Sequence, residues 1–398
     1  MIMPNQKGNT QVLILVSIVG IIFVLLLTNT FNFKSAIFHA LYPKPSSEAK
    51  GLANFFKKNL TAQTPQPTPT PVSSPQVIIG GDHYANHSFI FPNLDSSTKT
   101  FILDEDKKSG KKFIRTDYNL TSIENTEGVF NWKALDEITK MATDRGLTIV
   151  GTLGYSAPWI AAPGAAKPYQ GPIDPNKLDK FVAYVKATVA HYPQITYWEV
   201  WNEPDATGLY DSDPAGFAKM LALSYQTIKQ ANPNATVLFP GVIYAPGNFT
   251  KAVLTDPNYP GSQNYDIANF HDRAPLSPLK TKTIASINMF NTYGKKGAPI
   301  WVTEHGYPSN YKFQKDPNYT GTDAASGEQA QANYYKVSLP LIISLGVSKV
   351  FVSSRDANNY GCNISLDASP FCSEGIVTFP FTQGSGREKP SFSIFQAL

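Results

Sequence analysis

The chain is poor in groups that titrate or react. Of its 398 residues only 16% are charged, six are histidine and two are cysteine. Cys362 and Cys372 have no histidine pair near them to complete a tetrahedral ligand set, so no metal is expected. Two readings of the pair stay open. One is a local disulfide in an oxidising compartment, worth roughly 2–4 kcal/mol through loop closure; the other is two buried thiols. No G-x-G-x-x-G follows the first candidate strand, which removes the dinucleotide site of an open doubly wound sheet, and no cofactor is expected. The formal charge is only +4, and the lysine pairs Lys107-Lys108 and Lys111-Lys112 carry no interleaved aromatics, which argues against nucleic acid as a partner. With 42% hydrophobic residues and so few charges, the chain has ample material for a core and is not globally disordered.

What is present divides along the chain. Residues 1–10 form a short tail. Residues 11–33 are apolar over about the length that crosses a bilayer, and residues 12–27 contain no charge. No A-x-A-like site follows directly, so this run reads as an uncleaved transmembrane signal anchor. Residues 34–60 are a juxtamembrane segment. Residues 61–76 alternate Pro and Thr, which favours extended polyproline II and a semi-rigid spacer. The pattern predicts a single-pass membrane protein with its remaining domain, residues 77–398, held outside the cytoplasm.

That domain alternates short apolar runs with amphipathic windows. Strands are expected at residues 77–81, 113–117, 147–153, 195–203, 236–239, 265–270, 300–304 and 349–353. Helices are expected between them, for instance at 132–145, where Leu135, Ile138, Met141 and Ala142 share one face and Gly146 stops the run. Asp174-Pro175 and Asp213-Pro214 each supply a cap and a first-turn proline. Strict alternation implies a parallel α/β sheet, and eight units over this length fit a closed (β/α)8 TIM barrel better than an open sheet.

Two of the expected strands end in a glutamate. Residues 197–204 read Tyr-Trp-Glu-Val-Trp-Asn-Glu-Pro, ending at Glu203, and residues 300–307 read Ile-Trp-Val-Thr-Glu-His-Gly-Tyr, with Glu304. The C-terminal strand ends carry the active site of such a barrel, and strands four and seven face each other across its mouth. Facing carboxylates can flank one glycosidic bond, with one protonated to donate and one ionised to attack. Asn202 is suited to a sugar hydroxyl beside the reacting carbon. Arg115 ends strand two and can hold Glu304 ionised; His271 ends strand six on the same face; Tyr155 and Trp159 follow strand three and can stack on a sugar ring. Glu199 reads as a structural partner for Arg115, and His305 as structural because it alternates away from Glu304.

Trp-Asn-Glu-Pro together with Thr-Glu-His-Gly resembles the clan A glycoside hydrolases over residues 77–398. Tyr155-Ser156-Ala157-Pro158-Trp159 looks most like family 39, the β-xylosidases and their relatives, with family 5 as the next choice. The resemblance implies a retaining enzyme with Glu203 as acid/base, Glu304 as nucleophile and a carbohydrate substrate. Two positions depart from the pattern: many members have a tryptophan where Ser353-Ser354-Arg355-Asp356 stands, and a tyrosine near Arg273. Arg273 and Arg355 there suit an acidic sugar. Those departures also motivate a non-catalytic carbohydrate-binding or adhesion protein as the competing reading; a transglycosylase with the same glutamates is the third.

Overall fold

The structure is a computed structural model, and it describes residues 82–88, 90–357, 362, 367–378 and 386–398. The expected signal anchor (11–33), juxtamembrane segment (34–60), spacer (61–76) and strand at 77–81 lie outside the described residues. Among the described residues no helix is long and apolar enough to cross a membrane.

The first described strand is β1, Tyr84–His87, rather than residues 77–81. It is followed by β2 (Phe113–Asp117), β3 (Thr148–Leu153), β4 (Tyr197–Val200), β5 (Thr236–Leu238), β6 (Ala268–His271), β7 (Ile300–His305) and β8 (Lys349–Ser353). All pair in parallel in the order β5-β4-β3-β2-β1-β8-β7-β6. Isolated bridges Leu238↔Ile267 and Val242↔Phe270 join the two end strands, so the sheet is a nearly closed barrel.

Helices fill the connections: α1 (Ser96–Lys108), α2 (Leu120–Ile123), α3 (Lys133–Asp144), α4 (Leu178–His191), α5 (Pro214–Ala231), α6 (Asn248–Leu254), α7 (Leu276–Tyr293), α8 (Ala324–Ser344) and α9 (Pro390–Ala397). Their apolar stripes face the sheet; in α3, Leu135, Ile138, Thr139 and Ala142 are buried at the i, i+3, i+4, i+7 spacing of one helical face. Asp213 caps α5 by accepting from the Gly216 amide at 2.9 Å, with Pro214 in the first turn. The sequence pattern did not anticipate α1, α2, α6 or α9. In α1 lysines and acids outnumber apolar residues, so its weak stripe (Ile102, Leu103) is hard to see without the sheet it covers.

Strand interiors carry the floor of the barrel. Ala85, Phe113, Val150, Leu238, Ile267, Trp301 and Phe351 form one buried cluster, with Tyr197 packed against it. Lys349 closes this end, its ammonium 4.2 Å from the Phe113 ring centre and 3.0 Å from Asp82. Trp301 therefore packs the floor and does not reach the catalytic mouth.

Candidate active site

β4 is shorter than its sequence pattern suggests. The strand stops at Val200, and Trp201 and Glu203 adopt left-handed backbone conformations, with φ of 70° and 48°. Such conformations cost about 1–3 kcal/mol each in non-glycine residues and persist only where surrounding contacts enforce them. Here the Trp201 amide donates to the Leu153 carbonyl at 2.6 Å, and its ring packs edge-on to Tyr155 and Tyr210. The turn breaks strict alternation, so that neighbouring side chains, Asn202 and Glu203, both enter the barrel mouth. Gly241 makes room for it. Its carbonyl accepts from the Glu203 amide at 2.9 Å, its own amide donates to Glu199 at 3.0 Å, and a Cβ there would lie 2.0 Å from His271 Nε2.

Arg115 is the hub of the mouth. Its Nε and Nη2 donate to the two oxygens of Glu199 at 2.7 and 2.9 Å; Nη2 also donates to Asn202 Oδ1 at 2.8 Å, and Nη1 to Glu304 Oε1 at 2.8 Å. Burial opposes its charge, but Glu199 and Glu304 more than reverse this and keep it protonated. Glu199 is thus the structural partner expected of it. With its oxygen committed to Arg115, Asn202 presents its amide NH2 to Tyr155 OH at 2.7 Å.

Glu304 reaches the mouth through a β-bulge. Trp301 of β7 faces the floor, and simple alternation would turn Glu304 outward. One extra residue in β7, seen as register shifts against both β6 and β8, re-aims it inward. His305 then points out to Ser338 and the Asp272 carbonyl, as expected of a structural residue. Around Glu304, Arg273 Nη2 donates to Oε2 at 2.5 Å, while His271 Nε2 and His87 Nε2 lie 3.6 and 3.8 Å from Oε1. Burial alone would raise its pKa; His271, His87, Arg273 and Arg115 together hold it well below the usual carboxylate range. Burial keeps His87 itself neutral, while both guanidiniums keep their charge.

Arg273 is anchored in turn. Its Nε donates to the buried Glu374 at 2.9 Å, and its Nη1 lies 3.7 Å from Glu203. Glu374 follows Cys372, which forms a disulfide with Cys362, Cα atoms 5.1 Å apart. The disulfide thus belongs to the same short segment that anchors Arg273.

His271 Nδ1 lies 2.9 Å from Glu203 Oε1, so this imidazole stands between the two glutamates. One ligand atom each of Glu203, His271 and Glu304 lie within 4.8 Å of one another. A cation would fit that spacing, but Arg115 and Arg273 already neutralise Glu304 and oppose it.

The glutamates open into a cleft of about 490 Å³ lined by Arg115, Asp117, Tyr155, Asn202, Arg273 and Phe371 among others. Of the expected site residues, Glu203, Glu304, Asn202, Arg115 and Tyr155 line it, and His271 is buried against the two glutamates. Trp159 does not: it is absent from the cleft lining, and its indole donates to the Glu124 carbonyl at 2.9 Å, packing the loop after β3 against the core. Arg355 is buried away from the cleft, where burial lowers its pKa to about 9 against the pull of Asp106 and Asp356. His87, Asp117, Phe371 and Glu374 were not read as site residues from sequence. His87 and Asp117 carry a usable signal, polar residues at strand C-termini; Phe371 and Glu374 come from the long connection after β8, where spacing has no period to follow.

Eight parallel strands with paired glutamates at the ends of β4 and β7 are the architecture of the clan A glycoside hydrolases. The cellulase model of glycosyl hydrolase family 5 matches residues 86–338, and the chain belongs to that family. No curated protein matches it. Among solved structures, a family 39 glycoside hydrolase from Bacteroides cellulosilyticus WH2 is similar at 20% identity and TM-score 0.59, over 79% of this chain and 63% of that one. A monomeric beta-xylosidase from Caulobacter crescentus CB15 is similar at 14% identity and TM-score 0.57, over 79% and 67%. A GH5_18 protein from Streptomyces cattleya, solved with GlcNAc, is similar at 13% identity and TM-score 0.59, over 80% and 79%. At these identities the likeness is one of fold. The chain thus spans just under two thirds of the family 39 enzyme.

Proposed function

We propose that this chain cleaves an O-glycosidic bond of an oligo- or polysaccharide by double displacement, with Glu304 as nucleophile and Glu203 as acid/base. The observation that carries the assignment is the asymmetry of the two carboxylates. Glu304 accepts from two guanidiniums and is held ionised; Glu203 has no guanidinium hydrogen bond and contacts His271. An ionised, fixed carboxylate is suited to attack the anomeric carbon. Its partner is suited to protonate the leaving oxygen and then to activate water. Oxygens within 4.8 Å support retention, since an inverting pair needs about 6.5–9.5 Å to admit a water. Asn202, oriented by Arg115 and Tyr155, is placed to bind the hydroxyl next to the reacting carbon.

The chain is further proposed to work outside the cytoplasm on a single-pass anchor. The apolar run at 11–33, the Pro/Thr spacer and a disulfide, which persists in oxidising compartments, support this. The test is a screen of aryl glycosides and polysaccharides followed by two variants. Glu304→Ala is expected to abolish turnover, and Glu203→Ala to regain activity with azide, giving a glycosyl azide of retained configuration by NMR. Wild-type rates in both variants on every cleaved glycoside would sink the assignment.

A further inference from the structure

The inward face of β2 changes chemistry at every second residue: Phe113 in the floor, Arg115 in the ion network, Asp117 at the cleft. One such step is about 7 Å, so Asp117 stands roughly a sugar ring's width from the hub that holds Glu304 and Asn202. Glu304, Glu199 and Asn202 take up Arg115, but Asp117 has almost nothing. Its carboxylate has a single hydrogen bond, from Asn119 Nδ2 at 3.4 Å, the outer limit of such a contact. Asn119 Oδ1 is buried with no partner. Both side chains line the cleft. A buried acceptor left open, as Asn119 Oδ1 is, is costly unless a ligand supplies a donor.

The cations of the cleft lining decide which ligand fits. Arg115 is committed to Glu199, Glu304 and Asn202. Arg273 is committed to Glu374 and Glu304, with Nη1 facing Glu203. Lys167, on the exposed outer rim, donates to the Thr207 carbonyl at 3.2 Å. A substrate carboxylate beside Asp117 would meet like charge with no uncommitted guanidinium, whereas sugar hydroxyls can turn their O–H donors toward an acceptor-rich wall.

We propose that Asp117, assisted by Asn119, is a specificity-determining residue that accepts the hydroxyl hydrogens of a neutral sugar, and that the cleft rejects uronic acids. This reverses the acidic-sugar expectation attached to Arg273 and Arg355 and rests on the glycosidase reading. Arg273 in this account balances the charge of the glutamates and holds Glu304 in place, without clamping substrate.

The test compares 4-nitrophenyl glycosides of neutral hexoses and pentoses with the matching uronides on wild type, Asp117→Ala and Asp117→Asn. Wild type is expected to favour the neutral ring by about a hundredfold or more in kcat/KM. Both variants are expected to lose about ten- to a hundredfold on it while melting no lower than wild type, and the loss should vanish on the monodeoxy glycoside lacking the contacted hydroxyl. Asp117→Asn, which is isosteric, decides if Asp117→Ala does not fold. Undiminished kcat/KM in the folded variants, or a wild-type preference for a uronide, overturns the proposal. If wild type cleaves nothing, calorimetric titration with the free neutral sugars and uronic acids decides separately. Neutral-sugar binding that weakens in Asp117→Asn keeps the acceptor site although the glycosidase reading has failed. No binding, or binding unchanged in the variant, overturns it.

Discussion

The two ends of the barrel are built from the same strands and opposite materials. On β2 the floor receives Phe113 and the mouth Arg115; on β4 the floor receives Tyr197 and the mouth Glu199; on β1 the pair is Ala85 and His87. One pleat separates an apolar plug from a buried ion network. The floor is held by area removed from water and by close packing. The mouth buries three carboxylates, Glu199, Glu304 and Glu374, around two guanidiniums, an arrangement whose desolvation cost offsets its Coulomb gain. Stability therefore belongs mainly to one end and chemistry to the other, and strain at Trp201 and Glu203 is confined to the end that reacts.

Removing Arg115 should separate the two ends most clearly. Arg115→Ala leaves Glu199 buried without its partner, and an expected loss of about 3–5 kcal/mol in denaturant unfolding accompanies a kcat at least about 10²–10³-fold lower. Phe113→Ala should cost a similar 3–5 kcal/mol through its cavity, yet keep kcat per folded molecule within about twofold. If Phe113→Ala impairs turnover as Arg115→Ala does, the division between floor and mouth is wrong.

A smaller effect should come from the cation at the far side of Glu304. With Arg273→Gln the carboxyl loses one of the groups holding it ionised, so its pKa rises and the acidic limb of the kcat/KM profile moves toward neutral pH. An unmoved acidic limb would show that Arg273 contributes nothing to holding Glu304 ionised.

The smallest expected effect is on stability against pH. Burial raises Asp106, Asp117 and Asp356 from 3.8 to about 6 each. Over that interval the folded state binds more protons than the unfolded state, so these groups make stability fall as pH rises from about 4 to above 6. The buried histidines His87 and His305, whose pKa values are lowered, act in the opposite sense, so the readout is a difference: Asp117→Asn should gain melting temperature relative to wild type between pH 5.5 and pH 7.5. A difference between Asp117→Asn and wild type that does not change with pH contradicts the burial ascribed to Asp117.

The alternating periodicity carried most of the barrel, because a parallel strand buried on both faces and a helix buried on one leave different repeats. β2 and β8 match their sequence-based bounds residue for residue. β1 went unread, since Tyr84–His87 contains no apolar run of its own and is recognised as a strand only by its pairing with β2 and β8. Trp159 shows the same limit in the site: an aromatic after β3 has the chemistry of a sugar platform, and only packing against Glu124 and the core removes it from the cleft.

Sequence by itself pointed to the family, through Asn202-Glu203 and Glu304, because residue type and strand order place both glutamates near the C-terminal ends of strands four and seven. Tertiary structure decided how they get there and in what charge state. The left-handed turn at Trp201 and Glu203 and the bulge in β7 depend on contacts remote in sequence, and local alternation does not encode them. The field on Glu304 comes from Arg115, 189 residues away, and from Arg273, itself held by Glu374 a further 101 residues on. Electrostatics acts through space at a few ångströms, so such partners become visible only when the barrel closes.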